Sequence, residues 1–427
     1  MNGSPKIALF GGTFNPPHTG HISACTEFAK AISPDVLYIM PSSVPPHKEM
    51  AGKGSAAQRF SMARIAFRNM PCTTVFSAME LARDGKSYTV DTVESLIKLH
   101  GCEKIYMYVG SDMLFWFENW KDFRKLFEKC ILVTAARSEE DAGNIKACCE
   151  NFRKKYGCEY ILLPLVPLEI SSTKLRGLFE DSNADVSAQK ECKKYLTDEL
   201  YGYIIENAVY SDADKNSDIT DNETLLRIRE ALPSQIDEKR LSHTLSVEKT
   251  ALDLAEVYLP LYGYGKEYFA DISAAALLHD FTKRKSDEWH ESYLNTFMRG
   301  HEGYCAVYHS WSGAYFALEN YGVNTRVFRA VYNHTTGRAG MDIFEKIIFI
   351  ADFTEPGRTH KCCTTLREEL CGLMKKYAGN EKMLKESLDS VILKSLENTE
   401  SHLSSCGAKI CPALYETAEF LKNNKEI

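Results

Sequence analysis

Two groups of residues in this chain have the types and spacing to do chemistry, one suited to phosphate and the other to metal. In the first, the apolar run KIALF leads into GGTFNPPHTGH, so Gly11 and Gly12 stand where a strand must turn and where backbone amides can approach a ligand closely. His18 and His21 follow, three apart at the start of a helical stretch from Ile22 to Ala31, hence on one face near the positive end of a helix dipole. Two imidazoles and free amide donors there suit a polyphosphate. A glycine turn beside two surface histidines is the plain alternative, and the full string disfavours it. The second group is the ordered series His243, His279 with Asp280, His309, His334 and Asp352, every member of which can ligate a metal. His243 lies within a helical stretch, His279 and Asp280 end DISAAALLHD, His334 ends TRVFRAVYNH and Asp352 ends KIIFIAD. Polar groups at the ends of apolar helices can converge on one interior point, where they must be paired or bind metal.

Those residues need elements to hold them. Up to about residue 210, short apolar runs (KIALF, VLYIM, KIYMYVG, CILVTA, YILLPL) alternate with helical stretches, the pattern of strand, helix, strand units around a parallel sheet. Later periodic segments are long and rich in alanine or leucine, such as KRLSHTLSVEKTALDLAEVY, SGAYFALENYG and a stretch from Glu381 to Leu396, which reads as an all-α bundle. Between them SDADKNSDITDN, from Ser211 to Asn222, is acidic and has no apolar period. The expected organisation is an α/β Rossmann-like domain over 1–210, a linker over 211–222 and an all-α domain over 223–427, the two domains folding independently.

Composition narrows the function. The chain has 427 residues, of which 44% are hydrophobic and 26% charged, as in ordinary globular proteins, and at about 150 residues per domain this allows two or three domains. A formal net charge of -7 supplies no basic field to gather a nucleic-acid backbone, so small nucleotides are the expected partners. The longest apolar runs, such as that around Ile347 to Ala351, fall short of the roughly 20 residues of a membrane span. The N-terminus MNGSPKIALFGG shows no signal-peptide core. Fourteen cysteines are scattered without a CxxC pair and read as reduced, mostly buried thiols, so a cytoplasmic location is expected.

GGTFNPPHTGH resembles the HxGH signature of the nucleotidyltransferase superfamily, specifically of bacterial nicotinate-nucleotide adenylyltransferases. VLYIM with PSSVPPHK, ARDGKSYTVDT, YVGSDMLFWFENWKDF, ISSTKLR and KKYLTDELYGYIIENAVY are similar to later blocks of that family, in the same order, over Lys6 to Tyr210. The resemblance implies transfer of AMP from Mg2+-ATP to nicotinate mononucleotide, with Gly11, Gly12, Thr13, Phe14, His18 and His21 around the ATP phosphates. It also implies that Ser172, Thr173 and Arg176 hold the triphosphate at a second helix start. The Arg176 guanidinium, permanently charged and forked, suits that task, and a capped helix start is itself an anion site. On the acceptor side it implies contacts from Tyr88, Thr89, Asp112 and Trp120, with His47 and Lys48 as phosphate donors. From the residues alone, Trp120 suits the core as well as it suits ring stacking. Three places depart from the family pattern: Asn15 where Asp is usual, ARSEED with Arg137 where an Arg-Pro-Gly run is common, and GSD for GAD around Asp112. None removes a phosphate ligand, while preference for the acid over the amide mononucleotide is left open.

The series His243, His279, Asp280, His309, His334, Asp352 resembles the HD-superfamily phosphohydrolases. Its flanks RLSHTLSV, LLHDFTK, YHSWSGAYFA, NHTTG and IADFTEPGR are similar to YqeK-type HD hydrolases, which cleave diadenosine tetraphosphate symmetrically to two ADP. The resemblance implies two transition-metal ions, iron or manganese, with His243, His279, Asp280 and Asp352 on one, and with Asp280 bridging to a second completed by His309 and His334. Lys283 and Arg358 are expected to neutralise the leaving phosphate, and Thr335, Thr336 and Gly337 to donate to the polyphosphate or to cap a helix. Three rivals stay open: a different acceptor such as phosphopantetheine in the first domain, and in the second either a nucleotide-sensing module without turnover or a hydrolase of alarmones or dNTPs. A homo-oligomer is compatible with the sequence.

Overall fold

The computed structural model describes residues 4–42, 54–83, 85, 87–136, 138–164, 170–181, 186–210 and 219–423. His47, Lys48, Arg137 and most of the 211–222 segment lie outside them. The chain divides into two compact units, Met1–Asn216 with Asn295–Gly300, and Ser217–Leu294 with His301–Ile427.

The first unit is built on six parallel strands: β1 (Ile7–Gly12), β2 (Val36–Pro41), β3 (Thr74–Phe76), β4 (Ile105–Tyr108), β5 (Cys130–Ala135) and β6 (Glu159–Leu163), in the order β3-β2-β1-β4-β5-β6. The central strands are continuous apolar runs because helices cover both faces, and Ile7 to Phe10 are all at most 3% exposed. β1 pairs β2 with Gly11 opposite Met40, and pairs β4 with Leu9 opposite Met107. The strand order reverses between β1 and β4, and in open α/β sheets a ligand binds at the carboxyl ends beside such a reversal. The GGTFNPPHTGH loop follows β1 and GSD follows β4, so the sheet places both sequence blocks at that point. The helix after the loop spans Thr19–Ile32, starting earlier than the apolar pattern indicates because His18, extended at φ -148°, is its N-cap.

The second unit is helical throughout its described residues, with two nearly all-apolar helices at its centre. In Phe269–Leu278 every residue from Asp271 to Leu278 is buried, and in Ile343–Thr354 only Lys346, Asp352 and Phe353 escape full burial. A helix apolar all round has no solvent face and becomes the core against which its neighbours pack. Side chains cap the central helix Ile343–Thr354 and its neighbours: Asp342 forms a capping box with Glu345, Asn324 accepts from Arg326 N and Val327 N, and Asp237 accepts from Arg240 N. Each such cap stabilises its helix by about 1 kcal/mol. The helix expected to reach Leu396 runs from Glu381 to Ser405. All fourteen cysteines are free; half are buried, but Cys305, Cys362, Cys371 and Cys406 are exposed, more than the apolar contexts suggest. Among the described residues no helix is long and apolar enough to cross a membrane.

His290 carries a pH dependence built into this bundle. It is 3% exposed and its Nδ1 lies 2.8 Å from Ser312 Oγ. Burial pulls its pKa from 6.5 to about 4, against the opposing charge of Asp287. The unfolded chain therefore binds a proton that the folded chain refuses, so this contribution to stability is full above about pH 6.5 and is lost as pH falls toward 4. Denaturation series between pH 7 and 4 should show a shallower acid loss for His290→Asn than for the parent; equal slopes would remove His290 as a source.

Candidate functional site

The β1 loop is held by bonds from distant segments to its own carbonyls. Arg59, on the helix Ala56–Phe67, donates through Nη1 to Thr13 O at 3.0 Å and Ser42 O at 2.5 Å, tying together the loops after β1 and β2. It is 1% exposed, and burial lowers its pKa to about 10, which still leaves it charged at neutral pH. Arg176 donates to Asn15 O at 2.7 Å and, through its other terminal nitrogen, to Thr173 Oγ1 at 3.1 Å; Ser172 Oγ donates to Pro16 O at 2.9 Å. The ISSTKLR helix start and the loop thus meet directly. His18 is buried while His21 is half-buried, and their ring centroids are 3.9 Å apart. The two glycines differ in purpose. A Cβ on Gly12 would lie 2.7 Å from the Phe14 ring, whereas one on Gly11 would meet only Met40 O at 3.9 Å. Gly12 relieves a clash, and Gly11 leaves open space at the exposed mouth of the loop.

On the acceptor side, Tyr88 is the N-cap of the helix Thr89–His100, and the Lys121 ammonium stands 4.2 Å over its ring. Trp120 is half-buried, stacked on Phe117 at 4.8 Å, with its indole nitrogen buried and without a hydrogen-bond partner among the described residues. It therefore belongs to the edge of the core and also presents a surface. Asp112 is exposed on the short helix Ser111–Phe115.

In the second unit the six ordered residues converge. His243, His279 and Asp352 form one group of ligand atoms, and Asp280, His309 and His334 a second, each within 4.8 Å throughout. His243 Nε2 lies 3.1 Å from Asp352 Oδ1 and 3.4 Å from His279 Nε2. Two ligands each about 2.1 Å from one ion sit roughly 3 to 3.5 Å apart, so these spacings fit a shared cation. Asp280 faces both groups: its Oδ2 is 3.5 Å from His279 Nε2, and its Oδ1 is 3.3 Å from His309 Nε2. The far sides of the rings are committed. His279 and His334 donate through Nδ1 to Ala276 O and Val331 O, both at 2.7 Å, and His243 Nδ1 lies 3.1 Å from Glu355 Oε1. That pattern turns each Nε2 inward and fixes its tautomer, as around histidines that ligate metal. His334 Nε2 is buried with no hydrogen-bond partner among the described residues. A buried lone pair without a donor is costly, and a cation resolves it. Burial, reinforced by nearby positive charge, pushes His309 well below its usual range and His334 to about 4, so both stay neutral and able to ligate. The residues fit a metal pair.

Sequence comparisons bear on the first unit. The family model described as Cytidylyltransferase-like matches residues 9–178. A protein of Dictyoglomus thermophilum named "Probable nicotinate-nucleotide adenylyltransferase" is 31% identical over 208 residues, which cover 48% of this chain and 99% of that protein. Through its N-terminal half, the chain belongs to the nicotinate-nucleotide adenylyltransferase family. A relative of the same name from Pseudomonas paraeruginosa is 33% identical over 184 residues, covering 40% of this chain and 85% of its own. Among solved structures, a "predicted HD superfamily hydrolase involved in NAD metabolism" from Clostridium acetobutylicum overlays with a TM-score of 0.39 at 27% identity, covering 46% of this chain and 96% of that one. A Plasmodium falciparum nicotinic acid mononucleotide adenylyltransferase complexed with NaAD overlays with a TM-score of 0.38 at 19% identity, covering 48% and 97%.

The residues expected at each site separate into those brought together and those engaged elsewhere. In the adenylyltransferase half, the β1 loop, Ser172 and Arg176 form one hydrogen-bonded assembly. In the helical unit, Lys283 Nζ lies 3.0 Å from both His309 ring nitrogens, and Arg358 Nη2 donates to Asp352 Oδ1 at 2.5 Å, so both cations reach the ligand cluster. The NHTTG residues are engaged in the fold. Thr336 Oγ1 donates to Gly337 O, Gly337 N bonds Asn333 O at 2.8 Å with φ +62°, and only Thr335, bonded to Ser310 Oγ, is half-exposed. The Thr336 hydroxyl and the Gly337 amide are thus engaged at the helix end in this structure. In the helical unit three residues escaped the sequence reading. Arg240 Nη1 donates to Asp280 Oδ2 at 2.5 Å, a cation signalled only by its place one turn before His243. Glu355, 2% exposed, orients His243. Arg367 donates to the carbonyls of Thr354 and Arg358, at 2.6 and 2.8 Å, and to that of Glu355, fixing the turn that carries Glu355 and Arg358.

Proposed function

We propose that the first unit transfers AMP from Mg2+-ATP to nicotinate mononucleotide, yielding nicotinate adenine dinucleotide and pyrophosphate. The observation that supports this reading is the direct union of the β1 loop with the ISSTKLR helix through Arg176 and Ser172, the two blocks read from the sequence as holding the ATP phosphates. A phosphate oxygen of the mononucleotide attacks the α-phosphorus in line, the bond to pyrophosphate breaks, and charge moves onto the leaving group. No protein nucleophile is needed; His18, His21 and Arg176 stabilise the shifting charge, and Trp120 with Tyr88 and Thr89 seats the pyridine nucleotide. A panel of acceptors tests it. Nicotinate mononucleotide should outrun the amide mononucleotide and phosphopantetheine; equal rates with the amide would end the acid preference, and turnover of phosphopantetheine alone would end the assignment.

We further propose that the second unit is an HD-type phosphohydrolase cleaving diadenosine tetraphosphate to two ADP. What supports it is the pair of ligand groups sharing Asp280, with the cations Arg240, Lys283 and Arg358 beside them. Iron or manganese bound there would supply Lewis-acid charge and water activated at neutral pH. The chain itself orients the histidines through Ala276 O, Val331 O and Glu355, and presents three cations to a polyphosphate. In this reading the catalytic domains are 1–210 and 223–427, joined by 211–222, in a cytoplasmic protein.

A further inference from the structure

We propose that Tyr210 is a positioning residue for adenylyl transfer: its hydroxyl holds Asn15, and with it the β1 loop, in the shape that receives the ATP phosphates. The proposal rests on the loop from Gly11 to His18 being the phosphate cradle. Tyr210 is 1% exposed and donates to Asn15 Oδ1 at 2.8 Å, across 195 residues of sequence. Asn15, itself 4% exposed, is thereby tied at two points, because its main-chain oxygen accepts from Arg176. On another side stands Gly54, with φ +115°, where a Cβ would lie 2.5 Å from Asn15 Oδ1. The amide oxygen is thus enclosed by Gly54 and Tyr210.

The same tyrosine reaches the other wall of the cradle. Its ring centroid is 5.7 Å from that of Phe179, on the helix Ser172–Asp181 that supplies Ser172, Thr173 and Arg176. One side chain therefore braces both phosphate-binding blocks. The backbone leading to it is not relaxed: Ala208 and Tyr210 have φ of +50° and +72°, the left-handed region that L side chains rarely adopt. Such conformations persist only where the surroundings over-determine them. Here Val209, 2% exposed, anchors the tail, with its N–H on Ile204 O at 3.0 Å. The tail after the helix Asp198–Glu206 thus pays strain to seat one phenol under the loop.

Full-length Tyr210→Phe keeps the ring and loses the bond. We expect kcat for nicotinate mononucleotide adenylylation to fall about tenfold, because small misplacements of reacting groups are costly. The Km for ATP should change less than about threefold, and the melting temperature by no more than about 2 °C. Asn15→Ala should match it, the double variant should be no worse than either single because both remove one interaction, and Asn15→Asp, which keeps the acceptor, should retain at least about threefold more kcat than Asn15→Ala. Wild-type kcat in Tyr210→Phe, or a double variant at the product of the single losses, overturns the proposal. If Tyr210→Phe does not fold, equal kcat for Asn15→Asp and Asn15→Ala overturns it instead. His18→Ala, assayed in parallel, separates the two readings: full activity there removes the cradle itself, whereas an inactive His18→Ala beside a fully active Tyr210→Phe removes only the role of Tyr210.

Discussion

His18→Ala and His21→Ala each lower nicotinate mononucleotide adenylylation by more than about tenfold, with kcat and kcat/KM falling together and the Km for ATP nearly unchanged. The reason lies in when the imidazoles matter. Loop amides and Arg176 can bind a ground-state triphosphate without them, but negative charge grows on the pyrophosphate only as the bond breaks, and donors aimed at that charge act mainly in the transition state. Removing one such donor typically costs on the order of 10² to 10³ in kcat. The rings are 3.9 Å apart at the start of one helix, with His18 its N-cap, so they address one region of charge. Stopped-assay kinetics of both variants give the test. A rise in Km with kcat intact would reassign the pair to ground-state binding, and unchanged kinetics in both would sink the site.

Asp280→Ala has the second large effect. Its two carboxylate oxygens face different ligand groups, so one truncation takes a ligand from both. The variant should lose at least one of about two metal ions per chain, and diadenosine tetraphosphate cleavage should fall by at least about a thousandfold. His309→Ala or His334→Ala should lose mainly one ion and most of the turnover. Burial pushes the Asp280 carboxyl up, yet its contact with His279 and the charge of Lys283 outweigh it and hold it well below the usual range, so it is ionised at neutral pH. Metal analysis with product chromatography checks this. Full metal content and full turnover in Asp280→Ala would return the six residues to buried hydrogen-bonded roles. ATP plus AMP as products would place the attack at another phosphorus.

What could be read in advance depended on how far each residue's partner lies along the chain. The central strands announce themselves because burial on both faces demands unbroken apolar runs, and the metal-capable residues stand out as polar groups at the ends of apolar helices. β3 was missed because Thr74–Phe76 is three residues long, too short for any period to show. Arg59 bonds main-chain carbonyls 46 and 17 residues away, and such a bond leaves no mark on the partner's residue type, while Tyr210 bonds the Asn15 side chain 195 residues away, a separation that no local pattern spans. Glu355 and Arg240 sit inside recognised strings, but each works through a neighbour, His243 or Asp280, so side-chain chemistry alone could not separate them from surface charge. Thr336 shows the converse: a hydroxyl suited to phosphate is already engaged by the Gly337 carbonyl.

The most direct measurement is a product analysis of one full-length preparation before chelation, after chelation, and after readdition of magnesium alone. Before chelation, nicotinate mononucleotide with Mg2+-ATP should give the dinucleotide, and diadenosine tetraphosphate should give two ADP. After chelation and magnesium, dinucleotide synthesis should return in full while hydrolysis stays absent until iron or manganese is supplied. Hydrolysis restored by magnesium alone, or dinucleotide synthesis that returns only with the transition metal, would contradict two chemically independent phosphate sites on one chain.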